Sequence, residues 1–107
     1  MKVFINILVN VSQILLKLYV SGDTIRSKRA IANLKSFCDQ ELPKESIIKI
    51  IDVVKSPEIA EAEKILITPT LVKELPLPEE RIIGDLSNTE VLFFALDLAP
   101  KSSNKTI

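Results

Sequence analysis

Histidine and tryptophan are absent from the 107 residues, cysteine occurs once and glycine twice. With no histidine, the chain lacks the side chain that most often serves as a general base near neutral pH and as a transition-metal ligand. A single cysteine, Cys38, excludes an intrachain disulfide, a Cys-x-x-Cys redox pair and a thiolate zinc cluster, and points to a cytoplasmic protein. Gly22 and Gly84 are too few and too far apart to cradle a phosphate, and no Gly-Lys-Ser/Thr sequence exists, so no nucleotide or other cofactor is expected. Net charge is also missing: fourteen Lys plus Arg balance fourteen Asp plus Glu. No global field therefore gathers nucleic acid or an anionic membrane. The aromatic residues, Phe4, Tyr19, Phe37, Phe93 and Phe94, lie in no basic run that would stack bases, and nucleic-acid binding is not expected.

What remains is a chain of one-domain length whose hydrophobic fraction of 47% argues against disorder. Val3 to Val20 is strongly apolar, but Asn6, Asn10, Ser12, Gln13 and Lys17 interrupt it and no Ala-x-Ala cleavage site follows. Residues 1–13 therefore read as a leader or strand extension rather than a membrane span, with a membrane-associated leader as the alternative. Residues 14–99 read as the folded domain and 100–107 as a solvated tail.

Within the domain, Ile14 to Val20 has the β-branched and aromatic content of a buried strand and stops at Ser21-Gly22-Asp23. Asp23 or Thr24 caps the helix that follows, with Ile31, Leu34 and Cys38 on its apolar face, flanked by Ala30 and Phe37. Ile47 to Val54 is too apolar for a strand with one wet face and is expected at the centre of a sheet. Ser56-Pro57 signals a helix start with a side-chain cap. Thr68-Pro69-Thr70 interrupts an apolar run and demands a special local geometry. Arg81-Ile82-Ile83 before Gly84-Asp85 suggests the second arm of a hairpin. Ser87 and Glu90 are spaced as a capping box for a last helix over Val91 to Leu98, although the same residues suit a buried strand.

This order is that of an α/β, thioredoxin-like domain with a parallel βαβ unit first. A redox member would carry its thiol just after the first strand, at the helix N-terminus. Gly22 to Ser27 contains none, and Cys38 lies more than two turns later on the expected core face. Glu58 and Glu61 share a helical spacing and read as a solvated face, not a metal site.

Four segments, Leu16-Lys17-Leu18-Tyr19-Val20-Ser21-Gly22, Ile51-Asp52-Val53-Val54-Lys55-Ser56-Pro57, Lys64 to Leu71 and Arg81 to Ser87, resemble the KaiB family in sequence and in order. The resemblance implies a KaiB fold that is metamorphic, its C-terminal half rearranged in a resting dimer or tetramer, and binding to a KaiC-like ATPase without enzymatic activity. By the same resemblance Arg29, Lys55 and Arg81 match partner-binding or assembly positions, and Pro69, Gly84 and Asp85 match positions of the fold switch. Read without the family, Gly84-Asp85 is an ordinary turn and Lys55 a solvated charge. Ile25 stands where many relatives have proline, Glu79-Glu80 precedes Arg81, and the tail is not acidic; these departures leave timekeeping and stress response both open. The other readings are a thiol oxidoreductase built on Cys38 and a detached sensor-type interaction domain such as those preceding histidine kinases.

Overall fold

The computed structural model describes residues 13–98, so the leader 1–13 (Gln13 apart) and the tail 100–107 lie outside the described residues, as does Ala99. The elements are β1 Leu15–Val20, α1 Ile25–Glu41, β2 Ile47–Asp52, α2 Pro57–Ala62, β3 Thr70–Leu75, β4 Glu80–Ile83 and α3 Thr89–Ala95. They build one sheet in the order β2-β1-β3-β4. β1 runs parallel to β2, as a helical crossover allows, and antiparallel to β3, which pairs with β4 as the expected hairpin.

Alternation along β1 sets the two faces of the sheet. Leu16, Leu18 and Val20 point into the main core, where they meet Ala30, Leu34 and Phe37 of α1, Leu71 of β3, and Leu92 and Leu96 at the last helix. The Phe37 and Phe93 rings pack edge to face with centroids 5.0 Å apart. On the other face lie Tyr19, fully buried, and Lys17, whose ammonium pairs with Glu74 at 3.0 Å.

Several local expectations are met. Thr24 caps α1 by accepting from the Ser27 N–H at 3.2 Å, and the Leu42 N–H closes its last turn on the Cys38 carbonyl before Pro43. The Thr68–Pro69 peptide is cis, which is the special geometry anticipated there.

Others are corrected. β2 is an edge strand among the described residues, and its side chains Ile47 and Ile50 are exposed. The strand also stops at Asp52, leaving Val53 and Val54 in a turn. The buried stripe of α1 is Ser27, Ala30, Leu34 and Phe37; Ile31 and Cys38 are only partly buried at its margin. Ser27 can lie in the buried stripe because its Oγ accepts the Ser21 N–H, and the stripe that starts there runs to one side of Ile31. Ser56 precedes α2 but makes no side-chain cap. Asn88, not Ser87, caps α3 by accepting from the Glu90 N–H at 3.1 Å, so the capping box does not form.

Both short helices end in the same device. After α3, the Leu98 N–H reaches the Phe93 carbonyl and the Asp97 N–H the Phe94 carbonyl; after α2, Ile65 reaches Ala60 and Lys64 reaches Glu61. These paired bonds define a Schellman turn, whose left-handed position is ordinarily glycine. Here it is held by Asp97 (φ 56°) and Lys64 (φ 57°).

Candidate functional site

Three loops meet at the end of the sheet where β1 and β2 finish. The Ser21 N–H donates to Ser27 Oγ at 2.9 Å, and the Ser21 and Thr68 hydroxyls hydrogen-bond to each other across 47 residues of sequence. Asp52 accepts from the Val54 N–H (2.9 Å) and from the Gly22 N–H (3.1 Å), joining the β2 turn to the β1 loop. Those two backbone donors, Val54 first, hold its carboxyl below the usual range. Thr70 donates its hydroxyl to the Ile67 carbonyl and fixes the loop ahead of β3.

This end supports docking better than covalent chemistry. Its hydroxyls are spent on one another or on the backbone, and a serine, Ser27, fills the buried position in the first turn of α1. The lone thiol lies elsewhere: burial, with a smaller push from Asp39, raises Cys38 from 9.0 to about 11, the reverse of an activated nucleophile. Among the described residues no group of three or more His, Cys, Asp or Glu is placed to hold a metal ion, and no helix is long and apolar enough to cross a membrane. What the loops present outward is apolar: Ile25 and Val54 are each 67% exposed, Ile67 52% and Leu66 93%. Exposed hydrophobic side chains grouped on converging loops are a mark of an interaction surface.

The residues singled out from sequence fall in three places. Pro69 and Gly84 are brought together, the Gly84 N–H donating to the Pro69 carbonyl at 3.0 Å. Gly84 has φ 122°, and a Cβ there would meet nothing within 4 Å, so backbone conformation and not crowding favours glycine. Asp85 follows directly. Its backbone carbonyl accepts from Asn33 Nδ2 (2.8 Å), tying the turn to α1, and its carboxylate accepts from the Ser87 N–H (3.1 Å). The Ser87 hydroxyl and then its N–H hold that carboxyl low, and the charges of Arg29 and Arg26 add to the effect. Arg29 thus belongs electrostatically with Asp85. Lys55 is exposed on the turn after β2, where its charge also favours ionised Asp52.

Arg81 is engaged within the chain. Its guanidinium donates to the carbonyls of Glu63 (2.8 Å) and Lys64 (3.2 Å), and it pairs with Glu79 at 3.1 Å. It therefore clamps β4 to the Schellman turn of α2.

Sequence reasoning passed over Ser21, Ser27, Thr68 and Asp52. Only Asp52 carried a usable signal, an acidic residue two positions before the N–H it accepts, as in an Asx turn. The Ser21–Thr68 contact spans 47 residues and the Ser21–Ser27 contact joins a loop to a helix, so neither leaves a periodic trace.

Residues 17–98 match the family model described as the KaiB domain. The chain is 47% identical over 92 residues to the circadian clock protein KaiB3 of Synechocystis sp., covering 86% of this chain and 90% of that one. It is 52% identical over 84 residues to the circadian clock oscillator protein KaiB of Synechococcus elongatus, covering 78% and 82%. In structure it is similar to the N-terminal domain of Synechococcus elongatus SasA, with a TM-score of 0.64, 21% identity and coverage of 79% and 84%. It is also similar to oxidised mitochondrial thioredoxin 3 of Saccharomyces cerevisiae, with a TM-score of 0.66, 19% identity and coverage of 91% and 90%. The fold is thus a thioredoxin-like α/β fold; at these identities the structural likenesses carry the fold alone.

Proposed function

The chain belongs to the KaiB family, and on that premise we propose that it is a regulatory adaptor of a clock-like or stress-response system. It binds a KaiC-type ATPase and catalyses no reaction of its own. The observation that carries this reading is the sheet end itself, where Gly22 to Ser27 carries no thiol, Ser21, Ser27 and Thr68 are tied into hydrogen bonds, and Ile25, Val54, Leu66 and Ile67 are exposed. In this reading the apolar loops form the centre of the contact and Lys55 and Arg29 its charged rim, setting association rate and register more than affinity.

The adaptor also has a resting form, a homo-oligomer in which the second half packs differently. Support for two packings comes from the Pro69–Gly84 junction, the two non-glycine Schellman turns and the 89% exposed Phe94. Two arrangements of one sequence coexist when their free energies differ by only a few kcal/mol. If the competent form is roughly one molecule in a hundred, apparent affinity falls about a hundredfold and binding follows the interconversion rate.

The test is gel filtration of the protein mixed with the KaiC-type ATPase of the same cell, sampled over a day. A complex that accumulates slowly, and that Leu66→Glu or Lys55→Glu weakens, is the expected result. No complex at high micromolar protein in any nucleotide state overturns the proposal.

A further inference from the structure

The outer side of β2 is shaped to take another strand. Ile47 and Val53 give their N–H groups to the Ile14 and Val20 carbonyls, so the two-residue repeat of a strand turns those of Ile48 and Ile50 away from β1. No strand pairs with them among the described residues. Both faces of the sheet are apolar at this edge. Ile48 and Ile50 continue the row of Leu16 and Leu18, while Ile47 and Ile51 continue that of Leu15 and Tyr19, with Lys49 between them. Ile47 and Ile50 are exposed, one on each face.

The chain carries a segment of matching pattern. Before β1, Val3, Ile5, Ile7 and Val9 alternate with Phe4, Asn6 and Leu8, the period of a strand with one wholly apolar, β-branched side. The bond from the Ile47 N–H fixes Ile14 at the foot of β2, so the segment reaches the sheet at that end of the edge. Val9 to Ile14 is five steps, roughly 16 Å when extended. Crossing from β1 to the far side of β2 takes two strand spacings, about 10 Å. So short a link allows only antiparallel addition, since a parallel strand needs a crossover of a dozen residues or more. Ser46 Oγ, buried at the foot of β2, has no hydrogen-bond partner among the described residues. The link brings the polar side chains of Asn10 and Ser12 to that end.

Side-chain chemistry selects the register. With Asn6 opposite Lys49, Ile5 and Ile7 meet Ile50 and Ile48, and Phe4 and Leu8 meet Ile51 and Ile47. A slip of two residues sets Leu8 against Lys49 and Asn6 against Ile51. A slip of four pairs Asn10 with Lys49 but leaves Gln13 alone to make the crossing. A second copy of β2 centred on the same edge would place Lys49 against Lys49, a like-charge pair.

We propose that Val3 to Val9 adds to β2 as a fifth, antiparallel strand of the same chain, with Asn6 beside Lys49, Ile5 beside Ile50 and Ile7 beside Ile48. This goes beyond the adaptor reading and stands whether or not that reading holds.

The experiment is NMR of the full chain, measuring cross-strand contacts and amide exchange. Nuclear Overhauser contacts between Val3–Val9 and Ile47–Asp52 are expected in the stated register, and they should be absent between copies in a mixture of labelled and unlabelled protein. The amides of Ile48 and Ile50 should exchange at least about tenfold more slowly in the wild type than in an Ile5→Asp, Ile7→Asp double variant. Leu16 and Leu18 amides, protected in both, report that the domain stays folded. Asn6→Glu, which gives Lys49 a counter-charge, should slow exchange at Ile48 and Ile50, and Asn6→Lys should speed it. The proposal is overturned if Ile48 and Ile50 exchange equally in the wild type and the double variant, or if the contacts arise only between copies. It is overturned equally if those contacts are missing and the full chain instead sediments with phosphatidylglycerol vesicles.

Discussion

Cys38 offers the sharpest quantitative test, because its environment fixes both the size and the direction of an observable. Partial burial at the margin of the core removes hydration from the thiolate, and the neighbouring Asp39 adds like-charge repulsion, so its value rises from 9.0 to about 11. Near about pH 8 the reactive thiolate is then about a hundredfold scarcer than in an unfolded chain. A more basic thiolate is also a better nucleophile, and a Brønsted coefficient of roughly 0.5 returns about tenfold of that loss. The net expectation is alkylation at least about tenfold slower in the folded protein, with any steric shielding adding to it. Iodoacetamide kinetics followed by mass spectrometry, with and without urea, read this ratio directly. A pH series should place the half-reactive point near 11 in the folded chain and about two units lower in urea. Asp39→Asn should move the folded value slightly down, since the aspartate is the smaller of the two causes. Equal rates in both states, or a folded midpoint below 9.0, would falsify the burial argument and reopen the thiol-enzyme reading.

Four further outcomes are expected. Leu92→Ala removes a fully buried side chain from beneath α3 and should cost about 2–5 kcal/mol in urea unfolding. Ser27→Ala deletes the acceptor of the Ser21 N–H, for a loss of about 1 kcal/mol in the same assay. Asp97→Gly relaxes a left-handed position that glycine favours and should raise stability by roughly 0.5–1 kcal/mol, with Lys64→Gly behaving alike; a loss of stability would show that the side chains matter more than the backbone. Asp52 has its folded value below the ordinary 3.8, so its contribution is complete above the unfolded value and disappears as pH falls through the folded one. Asp52→Asn should therefore narrow the difference in urea midpoint between about pH 7 and about pH 3.

Local signals read well from the sequence because local rules produce them. The hydroxyl of Thr24 opening α1, the proline that stops a run at Thr68-Pro69 and the Gly84 turn that ends β4 all depend on neighbours within a few residues. The placement of β2 did not. Isoleucines at 47, 48, 50 and 51 state that the strand is apolar, but which strands flank it is decided by how the whole sheet assembles. The phase of α1 went astray by a small rotation for a similar reason: Ser27 looks polar, yet its hydroxyl is satisfied by Ser21 and so can be buried. At α3, Ser87 and Asn88 are adjacent residues of equal capping ability, and the Ser87 N–H is already given to Asp85. The loop end of the sheet was legible only as a missing thiol. Its Ser21–Thr68 and Gly22–Asp52 contacts join segments that sequence periodicity treats as strangers.

The edge position of β2 bears on how such a chain stays monodisperse while it folds. Ile47-Ile48-Lys49-Ile50-Ile51 leaves one row of backbone donors and acceptors without a strand beside it among the described residues. An apolar edge of this kind is a template for strand addition, the first step toward ordered aggregates. Lys49 interrupts it midway with an exposed charge, so that copies stacking in register would set like charges side by side. A residue with no part in the core or in the loop end of the sheet thereby stands where a gatekeeper against strand addition is needed.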